Sequence, residues 1–75
     1  MKEQIKIWIE NNKLEELMEL PKNENFINFL LTLYPTINKS KAEFDSRKCV
    51  EAYGKDDLDS ICGCIDIRLK NSNTF

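Results

Sequence analysis

The run Phe26-Ile27-Asn28-Phe29-Leu30-Leu31-Thr32-Leu33-Tyr34, closed by Pro35, is the densest apolar stretch of the chain and does most to limit what it can fold into. Read as a helix, it places Phe26, Phe29, Leu30 and Leu33 at i, i+3, i+4 and i+7, the stripe of a buried face. Ile27, Leu31 and Tyr34 form a second stripe about 100° further round, leaving only Asn28 and Thr32 for water. A helix apolar on most sides is normally surrounded by other helices, and this run is far shorter than the roughly 20 residues of a membrane span. The expectation is a central buried helix in an all-α, compact bundle. Its second stripe is then either covered within the chain or open as a groove for a partner.

Upstream, the segment from Lys2 to Asn11 puts Ile5, Trp8 and Ile9 on one helical face, with Lys6 and Glu10 four apart as an outward ion pair. Ile5, Ile7 and Ile9 also alternate as a strand would, and so do Ile65, Ile67 and Leu69. An α+β arrangement pairing these two terminal segments is the alternative fold. On a helix, Ile7 points away from the Ile5/Trp8/Ile9 face and calls for cover by a neighbour or a partner. Asn11-Asn12 breaks the phase. Leu14, Leu17 and Met18 then begin a new stripe on a second short helix, which is expected to end before Pro21 because proline restrains its predecessor from the helical region. Lys22-Asn23-Glu24-Asn25 follows as a polar turn in which Asn23 or Asn25 caps the central helix.

Beyond Pro35, Ile37 is expected to tack a short connection to the core. Ser40-Lys41-Ala42-Glu43 reads as a capping box that starts the next helix, with Ala42, Cys49, Val50 and Tyr53 inward and Gly54 as its left-handed terminator. Phe44 lies off that stripe, as a core residue or an exposed anchor. Asp56 is the expected cap of the last element, with Asp57 and Asp59 in its first turn, where the helix dipole favours them. Leu58, Ile61, Cys62, Ile65 and Leu69 follow at helical spacing, although Gly63 is a poor helix former. The pattern predicts one domain over residues 1–70, built of four to five short helices, with a frayed tail at 71–75.

At 75 residues, one core is only marginally sufficient without disulfides, metal or oligomerisation, which keeps a partner chain in view. The 41% hydrophobic and 32% charged fractions suit a folded domain, and the net charge of −2 weighs against nucleic acid as the main ligand. Cys49, Cys62 and Cys64 are odd in number, and Met1-Lys2-Glu3-Gln4 does not open like a signal peptide. A cytoplasmic, reduced setting follows as the expectation, with all three cysteines as free thiols and Cys49 and Cys62 as neighbouring core fillers. The competing reading is a metal centre using these thiolates with Asp59 or Asp66. Against it, Cys62 and Cys64 diverge by about 200° on a helix, and structural zinc prefers two residues between paired cysteines. The chain also contains no histidine. No metal or cofactor is expected, and a redox pair is the lesser alternative.

Lys39, Lys41, Arg47 and Lys48 form the best basic cluster, with Trp8, Tyr34 and Phe44 as candidate stacking aromatics. Glu43, Asp45 and Glu51 dilute it, so a solvated mixed-charge face is the simpler reading. Glu10, Glu15, Glu16, Glu19 and Glu24, with Asp56, Asp57 and Asp59, can form an acidic face that docks on a basic protein surface. No histidine, Gly-rich phosphate loop or argued pocket supports an enzyme. The run from Ile7 to Leu20 is similar to the opening of sterile alpha motif domains, a Trp followed by a Leu-rich short helix. Later segments depart from that family's pattern, and no function is carried over. Abundant Lys, Asn and Ile, with arginine only at Arg47 and Arg68, fit an AT-rich coding source such as a low-GC bacterium, its phage or a virus. The leading expectation is a small protein-interaction module: an adaptor, regulator or inhibitor, including one encoded by a phage or mobile element and directed at a host enzyme or defence system. Its candidate partner contacts are Ile7, Glu15, Glu16, Glu19, Tyr34 and Phe44. The alternatives are a homodimer or larger homo-oligomer, and a weak nucleic-acid binder acting through residues 39–48, Lys39 to Lys48.

Overall fold

The computed structural model describes residues 1–12, 16–53 and 57–71, and every element within them is helical. In order these are α1 (Lys2–Asn11), a 3-10 helix (Leu17–Lys22), α2 (Glu24–Leu33), α3 (Lys39–Tyr53) and α4 (Leu58–Lys70). No strand forms among the described residues, and the α+β alternative gives way to an all-α bundle. The alternating isoleucines explain why both patterns fitted. Ile5 and Ile9 are buried while Ile7 is 52% exposed, and Ile65 and Leu69 are buried while Ile67 is 58% exposed. Residues four apart share a helix face and the residue midway between them lies opposite, so period-two alternation over one turn is also what a helix produces.

The structure places α3, rather than α2, in the middle. α3 packs on the 3-10 helix, on α4 and on α2, while α1 rests mainly on α4. Its buried face is Ala42, Asp45, Ser46, Cys49 and Val50, a full helical stripe two of whose members are polar, and Tyr53 stands outside it. Asp45 is enclosed by cations: its carboxylate accepts from Arg68 Nε of α4 at 3.0 Å and lies 3.0 Å from Lys41 Nζ one turn back. A buried carboxylate needs such partners, because the low-dielectric interior penalises an unpaired charge by several kcal/mol, on the order of the cost of losing a core side chain.

α2 buries Phe26, Ile27 and Leu30, with Tyr34 just beyond its end, and leaves Phe29, Leu31 and Leu33 half-buried. Its inward face therefore lies between the two expected stripes. Ile27 and Tyr34 of the second stripe are covered within the chain, so this helix is not half of an open groove. Trp8 of α1 packs on two of its rings, stacked on Phe29 at 5.5 Å and tilted against Phe26 at 5.4 Å. Asn23 is the cap, its side chain accepting from Phe26 N at 3.0 Å.

Three boundaries differ from the sequence expectation. The second short segment is a 3-10 helix with Pro21 inside it, not an α-helix ending before the proline. Three residues per turn align Leu17 with Leu20, both buried, and leave Met18 outside; Leu14 lies outside the described residues. A helix this short loses only the one bond that Pro21 cannot donate. α3 begins at Lys39, one residue before Ser40, because Asn38 accepts from Lys41 N at 2.8 Å and takes the capping role. Asp57 caps α4, accepting from Ser60 N at 3.2 Å. The roles expected of Gly54 and Asp56 fall outside the described residues, as does most of the expected frayed tail. Ile37 packs against the core as expected.

The cysteines depart furthest from expectation. Cys49 and Cys64 form a disulfide joining α3 to α4, with Cα atoms 5.7 Å apart. Cys62 is the free, buried thiol. The divergence of Cys62 from Cys64 along α4 is what allows this: one sulfur turns into the core and the other toward α3. A radius of gyration of 10.9 Å, against about 11 Å for a compact chain of this length, confirms tight packing.

Candidate partner-binding groove

The 3-10 helix and α3 together form a groove of about 650 Å³. Met18 reaches it from the 3-10 helix because the three-residue turn puts Leu17 and Leu20, not Met18, inward. Phe44 reaches it from α3 because it lies off the stripe that runs from Ala42 to Val50. They are 45% and 43% exposed respectively, an arrangement that leaves two large apolar side chains in water at one place. Val50 and Pro21 extend the apolar lining, and Glu19, Glu43, Glu51, Lys22 and Arg47 add charge to it. Arg47 and Lys48 both lie over the Phe44 ring, at 5.4 and 5.5 Å from its centroid. Their charge is attracted to the ring face, which holds Phe44 in place from the solvent side.

Of the residues singled out from sequence, Glu19 and Phe44 are brought together here. Glu16 is exposed at the start of the 3-10 helix, and Glu15 lies outside the described residues. Ile7 is exposed elsewhere, beside Trp8, Phe29 and Leu33 on a separate depression of about 240 Å³. Tyr34 is only 6% exposed, and its hydroxyl donates to Asp66 at 2.6 Å, so it is engaged within the fold and not presented to a partner. Burial pushes the Tyr34 phenol well above its ordinary value, and the Asp66 carboxylate pushes it the same way. Met18, on the stripe expected with Leu14 and Leu17, is exposed instead; the Leu17/Leu20 spacing of three, taken with Pro21, is the signal that turns it outward.

The basic cluster is divided by its partners. Lys39 lies 3.7 Å from Glu24 and Lys41 pairs with Asp45, leaving Arg47 and Lys48 at the Phe44 ring. Elsewhere, Lys2 donates to Asp59 at 3.0 Å, and Lys6 lies 3.9 Å from the same carboxylate instead of pairing with Glu10. The hydrogen bond from Lys2 holds Asp59 below the usual carboxylate range and raises Lys2 in turn. The supposed metal ligands are dispersed: two cysteines are spent in the disulfide, and burial pushes the Cys62 thiol up to about 11, with Asp59 adding to the effect. No helix among the described residues is long and apolar enough to cross a membrane. Comparisons with protein-family models, with curated proteins and with solved structures find no match for this chain.

Proposed function

We propose that this chain is a protein-interaction module, not an enzyme, and that it takes an apolar side chain of a larger protein into the groove between the 3-10 helix and α3. The observation that carries this reading is the convergence of Met18 and Phe44, each nearly half exposed, on one groove with a charged rim. Burying two such side chains contributes roughly 25 cal/mol per Å² of apolar surface removed from water. The surroundings bear on the occupant: Glu19, Glu43 and Glu51 beside Lys22, Arg47 and Lys48 favour an apolar anchor flanked by charged residues that pair with them. Adaptor, regulator and inhibitor roles all fall within this reading, including an inhibitor encoded by a phage or mobile element and acting in the cytoplasm.

The test compares affinity capture from host extract by the unaltered chain with capture by Phe44→Ala and by Met18→Ser. Both side chains stand outside the core, so each variant is expected to fold with stability within about 0.5 kcal/mol of the parent. A captured protein lost from both variants, and released progressively as salt rises, supports the reading. Equal retention by all three chains sinks it. A second reading, self-association, has one observation in its favour: Ile7 stands exposed beside half-buried Trp8, Phe29 and Leu33. Light scattering at micromolar concentration decides it, since a clean monomer removes it.

A further inference from the structure

The Cys49–Cys64 bridge presents its two sulfurs unequally. Cys49 is wholly buried in the core, whereas Cys64 is partly exposed and lines a depression of about 360 Å³ walled mainly by α4, with Lys2 of α1 and Tyr53 of α3 at its sides. Gly63 lies next to Cys64 on that wall and adds no side chain to it; a Cβ there would meet the Lys2 side chain, whose nearest atoms are 3.8 Å away. Lys2 and Arg68 line the depression as cations, with Asp59 as a carboxylate. That balance tolerates an anionic thiol.

We propose that Cys64 is a thiolation site: a low-molecular-weight thiol such as reduced glutathione opens the bridge by attacking Sγ of Cys64. The glutathione thiolate supplies the electron pair of the new S–S bond to Cys64. The old bond breaks, and its electrons leave with Cys49 Sγ, which takes up the proton that glutathione gave to solvent. The products are a Cys64–glutathione mixed disulfide and a buried Cys49 thiol. A second thiol can then displace glutathione as its own disulfide, leaving Cys64 reduced. Attack from the Cys49 side has no comparable route, because that sulfur is enclosed between helices. Cys62 does not compete, being buried and mostly protonated at neutral pH. Thiolation at this position releases α3 from its only covalent tie to α4 among the described residues.

The intact chain is incubated with reduced glutathione, quenched in acid, blocked with N-ethylmaleimide under denaturing conditions, digested and mapped by tandem mass spectrometry. The expected result is glutathione on Cys64 with maleimide on Cys49. Glutathione on Cys49 or Cys62, equal labelling of Cys49 and Cys64, or a bridge that stays closed in excess glutathione overturns the proposal. So does an untreated chain with three maleimide-reactive thiols. Independently, Cys49→Ser leaves an open thiol and Cys64→Ser a buried one. In native buffer the first is expected to react with an aromatic disulfide reagent at least about tenfold faster than the second, while in denaturant the two rates converge. Equal native rates overturn the proposal.

Discussion

Tyr34 joins the end of α2 to α4 through one hydrogen bond to a carboxylate, so its removal has two separable effects. Tyr34→Phe is expected to cost about 1–2 kcal/mol in urea unfolding at pH 7, since bonds to charged acceptors lie at the strong end of the range. The second effect is on pH. The folded chain holds this proton to a higher pH than the unfolded chain, whose phenol titrates near 10.0, so the native state binds more protons above that value and stability falls as pH rises. Cys62 acts in the same direction over its interval from 9.0 to about 11. Unfolding midpoints measured from pH 8 upward are therefore expected to decline, and to decline less steeply in Tyr34→Phe; identical slopes refute the assignment. Ser46 offers a gain. Its hydroxyl is buried with no hydrogen-bond partner among the described residues, so Ser46→Ala is expected to stabilise the chain by about 1 kcal/mol through relief of desolvation and better helix propensity. A destabilised variant in the same melt means that the hydroxyl has a partner. Ser46 and Asp45 were also the residues least legible in the sequence. They occupy core positions at helical spacing, but polarity reads as exposure until Arg68 and Lys41 are seen to close over the carboxylate.

At the level of elements, the sequence carries the helices more clearly than their ends. The 3.6-residue periodicities of α1, α2 and α4 are in the sequence because their buried residues are almost all apolar, and Gly63 did not interrupt α4. Starts are harder, since several residues in a row satisfy the same chemistry. Asn38 and Ser40 both suit an N-cap, and Asn38 holds the bond to Lys41 N. Asn38→Ala is accordingly expected to cost about 1 kcal/mol and Ser40→Ala, inside the first turn, only a few tenths, as read by chemical denaturation. A reversed order restores the capping box. The 3-10 segment departs from the expected pattern for a different reason. Its stripe repeats every three residues, so a 3.6-residue template places Met18 on the wrong side, and with it one wall of the candidate groove. Glu19 and Phe44 were found as candidates without any indication that they meet, because their meeting depends on how α3 docks on the 3-10 helix.

For the whole molecule, the bridge between α3 and α4 compensates for a small core. It closes a separation of 15 residues, for which the chain-entropy model gives about 3 kcal/mol. Reduction is therefore expected to lower the melting temperature by roughly 12–24 °C in a domain of this size. A melt unchanged by reductant, with thiol release confirmed, contradicts that role. The sequence offered no route to this pairing, since burial makes a free cysteine look like any small apolar residue and the partner choice is made by helix packing. The same packing leaves α1 and α2 joined chiefly through rings: the single tryptophan, Trp8, lies against Phe26 and Phe29 across that junction. The molecule thus carries a built-in optical reporter. Its emission follows the seating of α1 on α2, a junction that the covalent tie between α3 and α4 does not span, and so distinguishes a local opening of α3 from α4 from the melting of the whole.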